Sequence, residues 1–301
     1  MPRLITTAPV APIDLDALVD WCEGSDFDPT HEEGLAAAAP ILAGLAANRT
    51  FLSDMAIAEL KTRCAGQRQD NPYSAQVMLL RPAGGKYVLR AAFWPSSRDH
   101  VVRMSGSAPF LYDVPHDHGF DFLTVGYLGP GYWSDYYSYD AAPVAGAAGE
   151  KVALRFVERS RLAEGRMLLY RANSDIHAQR PADALSVSLN ILAIAPDQGW
   201  RRQYRFDLER GTIAEVMTLS SAQMLLEIAV AAGSANGLDI AHDFARRHSV
   251  DAMRETAWRA IGDHHPGLDG VAHLEAGARS SSPLVRRQSV HALGLLRNEP
   301  G

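Results

Sequence analysis

Apolar residues follow a helical spacing in the first part of the chain, at about residues 13–66. Leu15, Leu18 and Cys22 recur every three to four positions, and Asp14 is placed to cap the start of that helix. An alanine-rich run later in this zone also favours helix. We therefore predict that the chain begins with a group of helices.

The pattern changes to short alternating runs between about residues 74 and 206. Residues 185–191 have the sequence Leu-Ser-Val-Ser-Leu-Asn-Ile, in which apolar and small polar side chains alternate as in a strand with one buried face. Many short strands with no helices between them indicate an antiparallel sandwich or barrel. The predicted strands are Gln76–Arg81, Tyr87–Trp94, Phe122–Tyr127, Tyr132–Tyr139, Val152–Glu158, Arg166–Arg171 and Leu185–Ala195.

Helical spacing returns from about residue 212 to residue 298, with a weak internal repeat. Residues 253–262 align with residues 285–294, and apolar or small side chains recur at matching places. The pattern resembles short HEAT-like repeats, in which helix pairs stack on one another. Any two amphipathic helices rich in alanine, leucine and arginine can be aligned in this way, so both interpretations stay open.

Composition and charge narrow the classes of function. The chain has 301 residues, of which 47% are hydrophobic and 21% charged, and a formal net charge of −6. These values are ordinary for a globular protein with a real core. Because no block rich in lysine or arginine occurs, we expect neither nucleic acid nor a membrane as a partner.

The same features bear on where the protein is located. The longest apolar stretch is shorter than the roughly 18 residues of a membrane-spanning helix, and the first residues lack a signal-peptide core. The two cysteines, Cys22 and Cys64, do not indicate a disulfide framework. We expect a cytoplasmic protein.

The most informative chemistry lies at His116 and His118. Two histidines separated by one residue on a strand point to the same face, so both imidazoles could reach one metal ion in a barrel interior. His177 follows a later, glycine-led strand and could supply a third imidazole. Three imidazoles would leave positions on the metal for a substrate and for dioxygen. A His-x-His pair is also common on surface loops, which is the alternative interpretation.

This arrangement resembles the cupin superfamily. His116 and His118 match the His-x-His of the first cupin motif, and Gly165, His177 and Asn190 match the second motif loosely. The resemblance covers about residues 74–206. It implies a cupin (double-stranded β-helix or jelly-roll) barrel at 71–210. The helical ends fall outside the resemblance, and together with them we expect an α+β, mainly β fold with helices on both sides of the barrel. The N-terminal helical segment (1–70) would pack on the barrel, and 211–301 would form a helical, HEAT-like region.

One departure from the cupin pattern sets the expected ligands. The position of the family's metal-binding glutamate falls near Phe122 or Leu123, so the site is expected to hold three histidines and no carboxylate. Within the superfamily this resembles the cysteine-dioxygenase-like thiol dioxygenases, whose His-Asp-His is matched at residues 116–118. Ser188 matches as well.

That closer resemblance breaks at positions that matter for the reaction. The family's second-shell histidine aligns with Asn190, its catalytic tyrosine with Leu192, and the cysteine crosslinked to that tyrosine with Leu123. We therefore expect a shared scaffold and metal with a substrate other than free cysteine.

Four further residues are candidates for the site. Asp121 could orient a ligand histidine, or lie in water at a strand end. Arg90 could point inward and bind a substrate carboxylate; Arg81, Arg155 and Arg171 are rivals for that role. Tyr132 could hydrogen-bond a substrate or dioxygen, or dress the outer face of the barrel. The matching Ser188 is the fourth candidate.

Three functions compete at this stage. The first is an Fe(II)-dependent oxygenase, with nickel, manganese, zinc and copper as alternative metals, acting with dioxygen on an amino acid, an amino-acid-like molecule or a peptide. The second is an oxygen-independent metal lyase or isomerase. The third is a non-enzymatic ligand sensor whose C-terminal helices bind a protein partner. A homodimer is an open alternative to a monomer.

Overall fold

The computed structural model describes residues 1–24, 26–65, 76–81, 85–233, 235–264 and 268–298. They form two compact units. The first comprises Met1–Ala141 and Ala153–Gln198, and the second comprises Ala142–Val152 and Gly199–Gly301.

The first unit begins with a short strand and a group of helices. Asp14 accepts a hydrogen bond from the backbone N–H of Ala17 at 2.8 Å, as expected for a residue that caps the first helix. The elements are β1 (Arg3–Ile5), α1 (Leu15–Gly24), α2 (Glu32–Ala37), α3 (Ala39–Ala47), α4 (Phe51–Lys61) and, further along the chain, α5 (His100–Ser105).

The strands of this unit form two antiparallel sheets. The large sheet has the order β1-β7-β4-β9-β3-β2, and the small sheet has the order β6-β5-β8. The strands are β2 (Val77–Leu79), β3 (Tyr87–Trp94), β4 (Phe122–Leu128), β5 (Trp133–Ser138), β6 (Arg155–Arg161), β7 (Met167–Tyr170), β8 (Asp175–Arg180) and β9 (Ser186–Ala193).

Strand alternation gives the large sheet two different faces. Its outer face packs against the N-terminal helices, for example where Leu123, Leu189 and Ile191 meet Leu42 and Leu45. Its inner face shares a second core with the small sheet. The members of that core include Trp94, Phe122, Tyr132, Tyr136, Leu168, Tyr170 and Leu192. The two sheets therefore enclose a common interior.

The turn between β4 and β5 brings the backbones of the strands very close together. Gly131 adopts φ +84°, and a Cβ at this position would lie 2.0 Å from the carbonyl oxygen of Leu162. Only glycine fits this turn without moving the neighbouring chain.

The second unit is a two-stranded sheet with helices. The strands β10 (Tyr204–Asp207) and β11 (Thr212–Val216) are antiparallel. Ser220 and Gln223 form a reciprocal capping box at the start of the first helix. The helices are α6 (Ser221–Ala231), α7 (Ala235–Arg247), α8 (Asp251–His264), α9 (Leu268–Gly277) and α10 (Pro283–Asn298). Helix α8 packs against each of the other four.

The predicted fold class, an α+β chain with a cupin-type barrel and helices at both ends, is confirmed. The two segments of the internal repeat lie in α8 and α10, but a HEAT-like stack is not confirmed and stays a prediction. Within the described residues, no single helix is long and apolar enough to cross a membrane. The segment α2–α3 (Glu32–Ala47) and helix α4 reach that length and apolar composition only together, and they are bent by 69° relative to each other.

The predicted strands agree with the structure at β3 and lie close to it at β2, β4, β5, β7 and β9. The prediction Val152–Glu158 begins too early, because β6 is Arg155–Arg161. Strands β1, β8, β10 and β11 were not predicted, and β11 lies in a zone expected to be helical. Strand β8 lacks apolar alternation because histidine and glutamine occupy its inward positions.

Candidate metal centre

The backbone brings His116 and His177 side by side. His177 lies in the middle of β8, and His116 lies in the extended segment before β4. The N–H of each residue donates to the carbonyl of the other, at 3.0 and 2.9 Å. His118 follows two residues later, and its carbonyl accepts from the N–H of Asn173 at 2.8 Å. These backbone bonds place three imidazoles from distant parts of the sequence in one region.

The three side chains converge on one point. The Nε2 atom of His177 is 3.1 Å from Nε2 of His118 and 3.2 Å from Nε2 of His116. A ligand atom of each residue lies within 4.8 Å of the others. Imidazole nitrogens bound at about 2.1 Å and roughly at right angles on one metal are about 3.0 Å apart. The separations therefore fit three ligands on one face of a divalent metal ion.

The surroundings of His116 and His177 keep these two imidazoles neutral. Nδ1–H of His116 donates to the carbonyl of Val114 at 2.8 Å, which leaves the lone pair on Nε2, the atom that faces the other histidines. Burial lowers the pKa of His116. Burial, and then the neighbouring His116 and His118, holds the pKa of His177 well below its usual value. Neutral imidazole is the form that binds metal.

Asp117 is a site residue that the sequence analysis did not single out. It is fully buried and lies between His116 and His118 in the sequence. Its Oδ2 accepts from the Tyr139 hydroxyl at 2.6 Å and from the Asn173 amide at 3.1 Å. These contacts hold the backbone of the His-x-His segment in place. The sequence offered one signal, the position of Asp117 between the two histidines of the motif. Its burial and its partners are visible only in the structure, where a buried carboxylate is expected to have partners.

Gln179 is a second such residue. It lies two positions after His177 on β8 and therefore on the same face. Its amide Nε2 is 3.2 Å from Nε2 of His177, and its side chain is buried, with 5% of its surface exposed. Its spacing from His177 matches that of the His-x-His pair, and this pattern could have revealed it.

Aromatic rings form one wall of the site. Phe122 and Tyr170 stack with their ring centroids 4.3 Å apart, and they lie 5.0 Å from the rings of His118 and His177 respectively. The hydroxyl of Tyr170 is 3.1 Å from that of Tyr136. Burial raises the pKa of both tyrosines, so both stay protonated at neutral pH. The wall is thus apolar, with two neutral hydroxyl groups.

Arg90 and Tyr132 belong to the same interior. Arg90 lies between the inner-face residues Val88 and Ala92 on β3, and alternation places it on that face. Tyr132 is buried in the inner core rather than on the outer face of the barrel, and its ring centroid is 4.0 Å from that of Trp94. Burial raises the pKa of Tyr132 well above its usual value, and the charge of Arg90 acts in the opposite direction.

Ser188 and Asp121 have defined partners. Ser188 accepts a hydrogen bond from the indole N–H of Trp94 at 3.0 Å, on the inner face of β9. Asp121 accepts from the N–H of Ala172 at 2.5 Å, which ties the start of β4 to the turn before β8. The structure thus brings Arg90, Tyr132 and Ser188 to the interior, whereas Asp121 binds the backbone of a turn.

The rival arginines lie elsewhere. Arg81 pairs with Glu23 at 2.6 Å, Arg171 pairs with Asp175 at 2.8 Å, and Arg155 is exposed on β6. Leu123, aligned with the crosslinking cysteine of the thiol dioxygenases, lies on the outer face, whereas Leu192 lies on the inner face. The closer resemblance to cysteine dioxygenases is not confirmed.

Comparisons with known proteins add a few distant likenesses. No protein-family model matches the chain, and no curated protein is similar to it. The DMSP lyase DddQ from Ruegeria pomeroyi DSS-3 has 14% identity over 65% of this chain and 79% of that chain, with a TM-score of 0.27. Hydroquinone 1,2-dioxygenase from Sphingomonas sp. TTNP3 has 11% identity over 42% and 69%, with a TM-score of 0.27.

A salicylate 1,2-dioxygenase from Pseudaminobacter salicylatoxidans has 8% identity over 50% of this chain, with a TM-score of 0.30. The match spans 37% of the dioxygenase's own length. At these identities and TM-scores the likenesses do not indicate an activity for this chain.

Proposed function

We propose that this protein is an iron-dependent oxygenase that acts on an amino acid, an amino-acid-like molecule or a peptide. The observation that carries the proposal is the convergence of His116, His118 and His177 at 3.1–3.2 Å inside a barrel. A cluster of converging imidazole nitrogens, two of them buried and neutral, has few uses other than holding a cation. Burial in an interior lined by aromatic rings also keeps water from the reacting groups.

The three histidines would hold the metal. Three neutral ligands leave the full charge of Fe(II), which supplies Lewis acidity and the electrons for reaction with dioxygen. Nickel, manganese, zinc and copper are alternatives that an imidazole site also accepts. Asp117, tied to Tyr139 and Asn173, would keep the two histidines beside it in their orientations.

Two groups would bind and orient the substrate. Arg90 would bind its carboxylate through paired, charge-assisted hydrogen bonds, which is why we propose an amino-acid-like substrate. Tyr132, kept protonated by burial, would donate a hydrogen bond to the same substrate.

Two further residues would support the site without binding the substrate. Ser188 would position the Trp94 indole beside Tyr132. Asp121 would act from the turn before β8, by holding the chain that leads to His177.

The first experiment measures metal and oxygen together. The full-length protein, purified without added metal, is assayed by elemental mass spectrometry beside a His116→Ala, His177→Ala double variant and an exposed control, His291→Ala. Iron close to one per chain is expected in the wild type and the control, and none in the double variant. Absence of metal from folded wild type that also refuses added Fe(II) would contradict the proposal.

Oxygen uptake then separates the substrate classes. Thiols, free amino acids, N-acetylated amino acids and short peptides are supplied to the iron-loaded protein. Uptake only with peptides would support a peptide substrate, which could be bound through the C-terminal helices.

The second candidate is an oxygen-independent lyase or isomerase. The paired hydroxyls of Tyr136 and Tyr170 favour it, because the Tyr170 ring lies 5.0 Å from that of His177 and these hydroxyls could donate protons without dioxygen. Turnover that is unchanged under strict anaerobiosis would select this function. Partner binding that survives removal of the metal, without turnover of any substrate, would instead indicate a sensor.

A further inference from the structure

Gln179 has an unusual environment for a glutamine. It lies on β8 two residues after His177, so the two side chains share the inner face of the small sheet. Its side chain is 5% exposed. Its Oε1 has no hydrogen-bond partner among the residues that the structure describes. Buried amide oxygens normally accept a hydrogen bond, so an exception of this kind calls for an explanation.

The position of the amide supplies that explanation. Its Nε2 is 3.2 Å from Nε2 of His177. The other two imidazoles lie at 3.1 and 3.2 Å from the same nitrogen. Two imidazoles from the segment before β4 and one amide from β8 thus have nearly the same separation from Nε2 of His177. This is the spacing of neighbouring donors on one metal ion.

Exchange of the amide nitrogen and oxygen would make Gln179 a metal ligand. The two ends of a glutamine amide have nearly the same shape, so turning it by 180° exchanges nitrogen and oxygen without moving other atoms. The oxygen would then lie where the nitrogen lies now, 3.2 Å from Nε2 of His177. An amide oxygen is neutral and suits hard divalent cations, and on a metal it would have the partner that it lacks.

We infer that Gln179 is a fourth ligand of the metal, bound through its amide oxygen. The inference rests on the proposed function only as far as the three-histidine centre itself. A fourth protein ligand would leave fewer positions on the metal for substrate and dioxygen than three histidines alone. It would thereby limit the substrates that the site accepts.

Metal binding tests this ligand without any assay of activity. Metal-free, full-length protein is titrated with Co(II), and the dissociation constant and the visible absorption bands are recorded. Gln179→Leu should weaken binding roughly 10–100-fold, the range known for residues that support metal sites. Its Co(II) absorption bands should also change. Gln179→Glu should bind at least as tightly as the wild type, because it offers an oxygen at the same position.

A control separates ligation from general damage to the interior. Thr124→Val removes a fully buried hydroxyl from the inner face of the large sheet with almost no change of shape. It should keep wild-type affinity and bands. Thermal unfolding of the metal-free variants shows whether each is folded, and Gln179→Glu provides the test if Gln179→Leu is not.

The outcomes distinguish this inference from the proposed function. Wild-type affinity and bands in folded Gln179→Leu would overturn the inference, as would weaker binding in folded Gln179→Glu, and both would leave the three-histidine centre intact. Gln179-dependent binding in a protein that never consumes dioxygen would support the inference and contradict the oxygenase. A wild-type protein that binds no Co(II) would overturn both.

Discussion

The two faces of the large sheet are built from the same strands but differ in chemistry. On β9, Leu189 and Ile191 pack against the N-terminal helices, whereas Ser188 and Asn190 face the barrel interior. On β4, Leu123 faces outward and Thr124 inward. The outer face is mostly aliphatic, whereas the inner face carries more aromatic and polar side chains. Burial alone needs only apolar side chains, so the polar groups on the inner face indicate where binding and chemistry take place.

The largest effect is expected at the histidines of the inner face. His177→Ala removes one of the three converging imidazoles, so both the metal and the activity should be lost. Elemental analysis and oxygen uptake measure this. The outer-face variant Leu189→Ala should keep its metal in the folded fraction. Full metal content in His177→Ala would show that the centre lies elsewhere.

A pair of leucines on β9 makes the comparison direct. Leu189 faces outward and Leu192 inward, and both are buried. Each change to alanine should lower the free energy of unfolding by about 2–5 kcal/mol, because it leaves a cavity. Urea denaturation measures this loss. Only Leu192→Ala should also alter kcat or KM, and an altered KM in folded Leu189→Ala would contradict the division between the faces.

Arg90 tests whether the interior recognises an anion. Arg90→Leu should raise KM for a carboxylate substrate roughly 10–100-fold, since hydrogen bonds to charged groups are worth about 1.5–3 kcal/mol. Steady-state kinetics on the metal-loaded protein would show it. Arg155→Leu, on the exposed part of β6, is the matched control and should leave KM unchanged. Equal effects in the two variants would argue against recognition by Arg90.

The smallest effect concerns the outward face of the small sheet. Asp135 pairs with Arg159, and with Arg180 at 3.0 Å. The hydrogen bond from Arg159 lowers the pKa of Asp135, burial opposes this shift, and Arg180 adds to it, so that the pKa is below its usual value. A lowered carboxyl pKa stabilises the fold above the unfolded pKa of about 4, and this contribution is lost as the pH falls. Asp135→Asn should therefore be less stable at pH 7 by no more than about 1 kcal/mol, because both arginines are about half exposed.

Urea denaturation of the wild type and Asp135→Asn at pH 7 and pH 3 provides the measurement. The difference in free energy of unfolding should shrink at the lower pH. A difference that grows instead would show that the pKa of Asp135 is raised in the folded protein.

The strands that carry one apolar face could be predicted from the sequence. Strand β3 and most of β9 followed from alternation, because one side of each packs against the helices. Strand β8 could not be predicted in this way, because its inward positions hold His177 and Gln179. The polar groups that a site requires remove the periodic signal by which a strand is recognised.

The sequence by itself indicated the mainly β barrel and offered the three histidines as candidate ligands. His116 and His118 follow from short-range spacing, which depends only on neighbours along the chain, whereas His177 was proposed from its place after a glycine-led strand and from the resemblance to the second cupin motif. Only the tertiary structure decided that Tyr132 faces inward, that Asp121 binds the turn before β8, and that Gln179 lies at the same distance from His177 as the other imidazoles. Such relations depend on strand pairing between residues distant in sequence, and local pattern does not encode that pairing.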